Sequence, residues 1–195
     1  SWEKAGKELS KKKPNLSKAT KELEKAVKIY SEFAAAWYLL GEVRVNQKDR
    51  TGAIEAFQQS MDADVDYVNP RVSLALIALE DERWEDAVQL SDEALEITPT
   101  HVKAHYFSAV ANSSLGRIEA AETAALKVLD SHEVEQYPLV HYVLGWILSQ
   151  RGEFEAAAAR YRQFMEIKPE IPLSQRLREQ MAGWAEQGLL QEPGT

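Results

Sequence analysis

Small apolar residues recur along the chain with a period of about 34 residues, and larger apolar residues surround them at helical spacing. Within each period the apolar side chains lie three, four and seven residues apart, the spacing of one face of an α-helix. Two parallel series carry the period: Ala53, Ala87, Ala121 and Ala157, and, twelve residues before each of these, Gly41, Ala75, Ala109 and Gly145. Such a period predicts an array of one repeated supersecondary unit.

Each period is predicted to be a hairpin of two helices. A small residue in the first helix that faces a small residue in the second lets the two backbones approach closely. Pro99 and Pro169 follow apolar segments and are expected to end the second helices. Asp49 is predicted to cap a second helix, and Gly116 and Gly152 are predicted to form the turns between helices.

The two ends of the chain are predicted to extend the array. Trp2 and Gly6 repeat the spacing of a tryptophan and a glycine in the next hairpin. A helix over 172–188 is predicted to cover the last hairpin with an apolar stripe. The stripe comprises Leu173, Leu177, Met181 and Trp184. The sequence therefore predicts eleven helices and no sheet in one domain, 1–190, with a tail over 191–195. The predicted hairpins span about 1–31, 33–65, 67–99, 101–133 and 136–169.

These residues resemble the tetratricopeptide repeat family, whose 34-residue unit follows the pattern W-x2-L-G…A-x3-F…P. The second hairpin carries Trp37, Leu40, Gly41, Ala53 and Phe57, with Val65 in place of the final proline. The last hairpin keeps Leu144, Gly145, Ala157, Tyr161 and Pro169. The fourth departs most, with Ser108 and Ala125 at the leucine and aromatic positions. The resemblance implies an all-α fold, a right-handed superhelix (α-solenoid) of about five hairpins with a capping helix.

The resemblance also implies a non-enzymatic scaffold that binds a partner protein or peptide in a concave groove lined by the first helix of each hairpin. Helical register assigns these residues to the groove: Tyr38, Glu42, Asn46, Val72, Leu76, Lys103, Tyr106, Val110, Ser113, Tyr142, Trp146 and Ser149. Val45, Asn69, Leu79 and Leu139 share that register. Flat aromatic rings would grip apolar or extended segments. The alternative is that some of these rings pack between neighbouring hairpins.

The predicted groove differs from that of the family members that bind chaperone tails. The resemblance implies that those members hold a C-terminal carboxylate with a clamp of basic residues and asparagine. Here tyrosine stands where the clamp has lysine, and Glu42 would repel an acidic tail. This difference argues against a chaperone-tail adaptor.

Charge and composition exclude other functions. The net charge is −8: residues 1–30 hold nine Lys and four Glu, a net +5, and residues 31–195 carry a net −13. An acidic body disfavours nucleic acid. No stretch approaches the roughly 20 apolar residues that span a bilayer, so no membrane insertion is expected. The chain has no cysteine, GxSxG, phosphate-binding glycine loop or HExxH, so neither catalytic residues nor a cofactor are predicted.

Two alternatives stay open at this stage. His101 and His105 lie four residues apart and could share a metal ion or a small ligand, although no third ligand follows by spacing. Self-association through the terminal helices would give a homo-oligomer. The compartment also stays open, as a bacterial cytoplasm or an exported, periplasmic location within a larger protein. The start at Ser1, without methionine or an apolar leader, suggests a processed or excised chain.

Overall fold

The chain forms a row of antiparallel helices in a computed structural model that describes residues 2–11 and 15–190. These residues form eleven α-helices and one short 3-10 helix, Val134–Gln136, and they contain no strand. The helices are α1 (Trp2–Leu9), α2 (Leu16–Ile29), α3 (Ala34–Asn46), α4 (Arg50–Ala63), α5 (Val68–Glu80), α6 (Trp84–Ile97), α7 (Val102–Ser114), α8 (Ile118–Leu129), α9 (Leu139–Gln150), α10 (Phe154–Ile167) and α11 (Pro172–Glu186). The predicted all-α repeat fold is confirmed. The predicted tail, 191–195, lies outside the described residues.

The hairpins close around small residues, as the sequence predicts. Helices pair as α3 with α4, α5 with α6, α7 with α8 and α9 with α10, and each pair contacts the next. A Cβ added at Gly41 would overlap the Phe57 ring, and one at Gly145 would lie 2.5 Å from the Tyr161 ring and 3.2 Å from the Ala157 carbonyl oxygen. Glycine therefore makes room for an aromatic ring of the facing helix.

The turns inside the hairpins share one backbone conformation. Gly116 and Gly152 have φ of +72° and +77°, and Lys48 and Glu82, at the same register position, have φ of 63° and 57°. A left-handed residue ends a helix by letting later amides reach its last carbonyls. Asp49 then caps α4 as predicted, because its carboxylate accepts a hydrogen bond from the Gly52 amide at 3.0 Å.

The N-terminal hairpin departs from the prediction at one residue. A Cβ at Gly6 would meet nothing within 4 Å, so Gly6 does not play the part of Gly41. The buried small residue of α1 is Ala5, which packs in the same cluster as Ala19 and Leu23 of α2. Ala5 and Glu8, three residues apart, lie on the face that α1 buries, and Gly6 lies beside that face and is exposed.

The C-terminal helix α11 covers the last hairpin with the predicted stripe. Leu177 and Trp184 are buried, and Leu173 and Met181 pack beside them against Tyr161 and Phe164 of α10. The Trp184 ring stacks on Tyr161 with ring centres 5.9 Å apart and planes inclined by 22°. The helix thus covers the apolar side of α10.

Candidate functional site

The first helices of successive hairpins lie side by side and carry the predicted groove residues. Helix α5 contacts α7, and α7 contacts α9. Between α3, α5 and the start of α7 lies a cleft of about 460 Å³. It is lined by four predicted residues, Tyr38, Glu42, Leu76 and Lys103, and by Val45, Lys48, Arg50, Phe57, Ser73, Ile77 and Glu80. Most residues of this second group were not predicted, because they lie on turns or at helix positions beside the predicted register.

The apolar part of the cleft is built on Tyr38. Its ring lies 5.7 Å from Phe57 and meets the Tyr67 ring edge-on at 5.6 Å, so its orientation is held by both neighbours. Burial, together with the nearby charge of Glu42, raises the pKa of Tyr38 above its ordinary value. Leu76 and Val45 are exposed, at 36% and 47%, and leave apolar surface open to a ligand.

The charged groups of the cleft divide into paired and unpaired ones. Arg50 at the rim donates to Glu80 at 2.8 Å, to Asp81 at 2.5 Å and to the Ile77 carbonyl at 2.9 Å. By contrast, Glu42 receives one long hydrogen bond, from the Ser73 hydroxyl at 3.4 Å. The Lys103 ammonium lies 5.5 Å from the centre of the Phe107 ring of its own helix.

The aromatic residues farther along pack largely against other rings. Tyr137 lies in the long connection between α8 and α9, residues 130–138, and its ring centre is 4.8 Å from that of Tyr106. Burial, and next the Tyr137 neighbour, raises the pKa of Tyr106 to about 12. Tyr142 stacks on Tyr161 at 6.0 Å. Trp146 is half-buried in the cluster that joins the last two hairpins. These contacts correspond to the alternative of packing between hairpins that the sequence left open.

The other predicted groove residues differ in how much they offer a ligand. Val72 corrects the prediction, because it is 5% exposed and packs against Ala94 and Phe107 instead of facing the groove. Val110 is half-buried. Three polar side chains donate to their own helix: Asn46 to the Glu42 carbonyl, Ser113 to the Val110 carbonyl and Ser149 to the Trp146 carbonyl. Their oxygens can still accept hydrogen bonds.

The repeated helices agree with comparisons to known proteins. A model of the tetratricopeptide repeat family matches residues 15–66 and 109–170, more than half of the chain. The chain belongs to the tetratricopeptide repeat family. Proteins of this family are generally non-catalytic scaffolds for other proteins, and their stacked repeats create extended concave surfaces.

Several solved structures share this tetratricopeptide fold. MamA from Desulfovibrio magneticus RS-1 (residues 41 to the end) superposes with a TM-score of 0.70 at 16% identity, over 87% of this chain and 94% of that one. YrrB, a TPR protein with an unusual peptide-binding site, gives 0.69 at 18% identity over 84% of each chain. PilF from Pseudomonas aeruginosa gives 0.72 at 20% identity, over 88% and 78%. No curated protein sequence matches the chain significantly.

The two histidines considered as metal ligands contact the backbone near the start of α7. His101 is the N-cap of α7, and its Nδ1 accepts a hydrogen bond from the Ala104 amide at 3.2 Å. His105 Nε2 lies 2.9 Å from the Pro99 carbonyl oxygen. Across residues 2–11 and 15–190, no three His, Cys, Asp or Glu side chains are grouped to hold a metal ion. Within the same ranges, no helix has the length and apolar character to cross a membrane.

Proposed function

We propose that this tetratricopeptide array is a scaffold that binds an extended peptide segment of a partner protein in the cleft between α3, α5 and α7. The observation that carries the proposal is the open apolar floor of the cleft, formed by Tyr38, Val45 and Leu76 and bordered by charged groups. A concave apolar surface with a few convergent polar groups is the usual form of a ligand site.

The dimensions of the cleft suit a short extended segment. Two steps between neighbouring packed helices, at about 8–10 Å each, span roughly 18 Å. At about 3.3 Å per residue, five or six extended residues cover that distance. The peptide-binding site named for the structural neighbour YrrB supports the same class of ligand for this fold.

The remaining predicted residues continue the proposed surface to differing degrees. Tyr106, Val110, Tyr142 and Trp146 are partly covered by their neighbours, so we propose that they extend the site rather than form its centre. Asn46, Ser113 and Ser149 would offer acceptor oxygens at its edge. Val72 is not part of the proposal because it is buried.

A display experiment with a matched pair of variants tests the proposal. Random dodecapeptides on phage are selected on the immobilised wild-type chain, and affinities of the recovered peptides are measured by fluorescence anisotropy. Leu76→Arg places a charge on the apolar floor and should weaken binding at least about tenfold. Leu126→Arg is the control, because Leu126 on α8 is 44% exposed and lies outside the cleft. An equal loss of peptide affinity in both variants, or no loss in either, would contradict the proposed site.

A further inference from the structure

The unpaired carboxylate of Glu42 sets the cleft apart from an ordinary apolar groove. Glu80, the other acidic group of the lining, is bound to Arg50 at 2.8 Å. Among the residues that the structure describes, no cation lies within ion-pair distance of Glu42, whose carboxylate receives only the 3.4 Å hydrogen bond from Ser73. The side chain is half-buried beside the Tyr38 ring. Glu42 therefore has no ion-pair partner within the cleft, although Lys48 and Lys103 of the same lining carry the opposite charge.

An uncompensated carboxylate in such surroundings favours a cationic ligand group. Partial burial removes water from the charge, and neighbouring apolar side chains strengthen its field compared with an exposed carboxylate. A lysine or arginine side chain fits because its aliphatic stem can lie on Leu76 while its charged end reaches Glu42. The Tyr38 ring adds a face for the cation.

The lysines of the lining restrict where that cation can sit. Lys48 lies at the turn after α3, and Lys103 lies at the start of α7 with its ammonium near Phe107. Both carry positive charge into the cleft, and the structure shows no ion pair for either within residues 2–11 and 15–190. A second basic residue in the ligand would be repelled there. The favourable pattern is one basic residue with apolar neighbours, and an acidic residue toward Lys103.

From these contacts we propose that the cleft selects a peptide segment with a single lysine or arginine flanked by apolar residues, and that this basic side chain pairs with Glu42. The inference rests on the proposed peptide-binding function, since it names the chemistry of the ligand for the same site. It assigns Glu42 as the residue that determines specificity, and Leu76 with Tyr38 as the apolar support.

The same phage selection tests the inference when it is repeated on charge variants. In the aligned peptides recovered on the wild type, one position should hold Lys or Arg about three to five times more often than in the starting library, the range expected for a partly exposed ion pair. Glu42→Gln keeps the shape and should abolish this enrichment. Glu42→Lys should enrich Asp and Glu instead. Glu166→Lys, an exposed change on α10, is the control and should select like the wild type.

A synthetic pair of peptides gives a second measurement. The strongest arginine-containing peptide is compared with its citrulline analogue, which has nearly the same shape but no charge. The wild type should lose about fivefold in affinity on this replacement, whereas Glu42→Gln should show no difference between the two peptides. Circular dichroism confirms that each variant is folded.

The outcomes separate the inference from the function on which it rests. If the wild type recovers no peptide above an empty support, the proposed function and the inference are both wrong. Suppose that the wild type recovers peptides that Leu76→Arg fails to bind, and that peptides selected on Glu42→Gln contain Lys and Arg as often as those selected on the wild type. The proposed function then stands and the inference is wrong. A citrulline analogue that binds the wild type equally well would also overturn the inference.

Discussion

At the scale of single residues, the volumes of two register positions compensate each other across the four hairpins from α3 to α10. Where the second helix carries a large ring, the first carries glycine: Gly41 with Phe57, and Gly145 with Tyr161. Where the second helix carries a small residue, the first carries alanine: Ala75 with Ser91, and Ala109 with Ala125. All of these alanines, the serine and the two rings are buried. The glycine thus makes room for a ring of the second helix, and the alanine fills space that a small residue there leaves, so that each contact stays closely packed.

This compensation predicts that Gly41→Ala destabilises only while the Phe57 ring is present. The added Cβ would overlap a ring that is fully buried, and overpacking of this kind costs about 1–3 kcal/mol. In a Phe57→Ala background the same change should cost almost nothing, because the pair then matches the fourth hairpin. Urea unfolding of the four chains of this double-mutant cycle measures the coupling. Gly183→Ala, whose Cβ meets nothing within 4 Å, should instead stabilise α11 by up to about 1 kcal/mol.

At the scale of the elements, the sequence predicted the hairpin turns, but it identified the left-handed residue in only two of the four from α3 to α10. The left-handed residue is a glycine in the turns before α8 and α10, and the sequence predicted both turns. Lys48 and Glu82 adopt the same left-handed conformation before α4 and α6, although lysine and glutamate do not indicate it in a sequence as glycine does. The repeat closes these turns because the flanking helices are held by packing, which outweighs the cost of about 1 kcal/mol for a side chain in that region.

The N-cap of α7 predicts a pH dependence of stability. Burial, with the nearby charge of Lys103, lowers the pKa of His101, and its neutral Nδ1 accepts the Ala104 amide. Burial also lowers the pKa of His141, with Arg160 adding to the effect. The unfolded chain therefore binds these protons at higher pH than the folded chain. The contribution of the neutral histidines to the free energy of unfolding is fully present above the pKa of about 6.5 that they have in the unfolded chain. It is lost as the pH falls through their lower pKa in the folded chain.

Replacement of the cap tests this dependence. His101→Asn keeps a capping side chain that does not titrate, so the fall in unfolding free energy between about pH 7.5 and pH 5.5 should be smaller than in the wild type. His141 should keep part of the fall. An identical slope in the wild type and in His101→Asn would show that His101 does not contribute.

At the scale of the whole molecule, the fold followed from the sequence more completely than the site did. Period, small residues, prolines and the apolar stripe of α11 are local patterns that repeat, so eleven helices could be predicted. The grouping of 1–190 into one domain stays a prediction. The site depends on side-chain contacts between hairpins, which no period records. Tyr106 is covered by Tyr137 from an irregular connection, and Val72 is turned into the core, so register alone could not rank the groove residues.

The linear order of contacts predicts that damage to one end of the array stays local. Each hairpin packs mainly on its neighbours, and α11 contacts α10. Trp184→Ala removes the ring that stacks on Tyr161 and lies 5.1 Å from Phe154, a loss of about 3–5 kcal/mol for a buried tryptophan. In an array with nearest-neighbour coupling this loss falls on the last hairpin. Hydrogen exchange followed by mass spectrometry should therefore show faster exchange in α10 and α11 and unchanged exchange in α3 to α6.

Leu189→Ala, at a 38% exposed side chain, is the control and should change neither region. Faster exchange throughout α3 to α6 in Trp184→Ala would mean that the array unfolds as one cooperative unit, and peptide binding in the cleft would then be coupled to the distant capping helix.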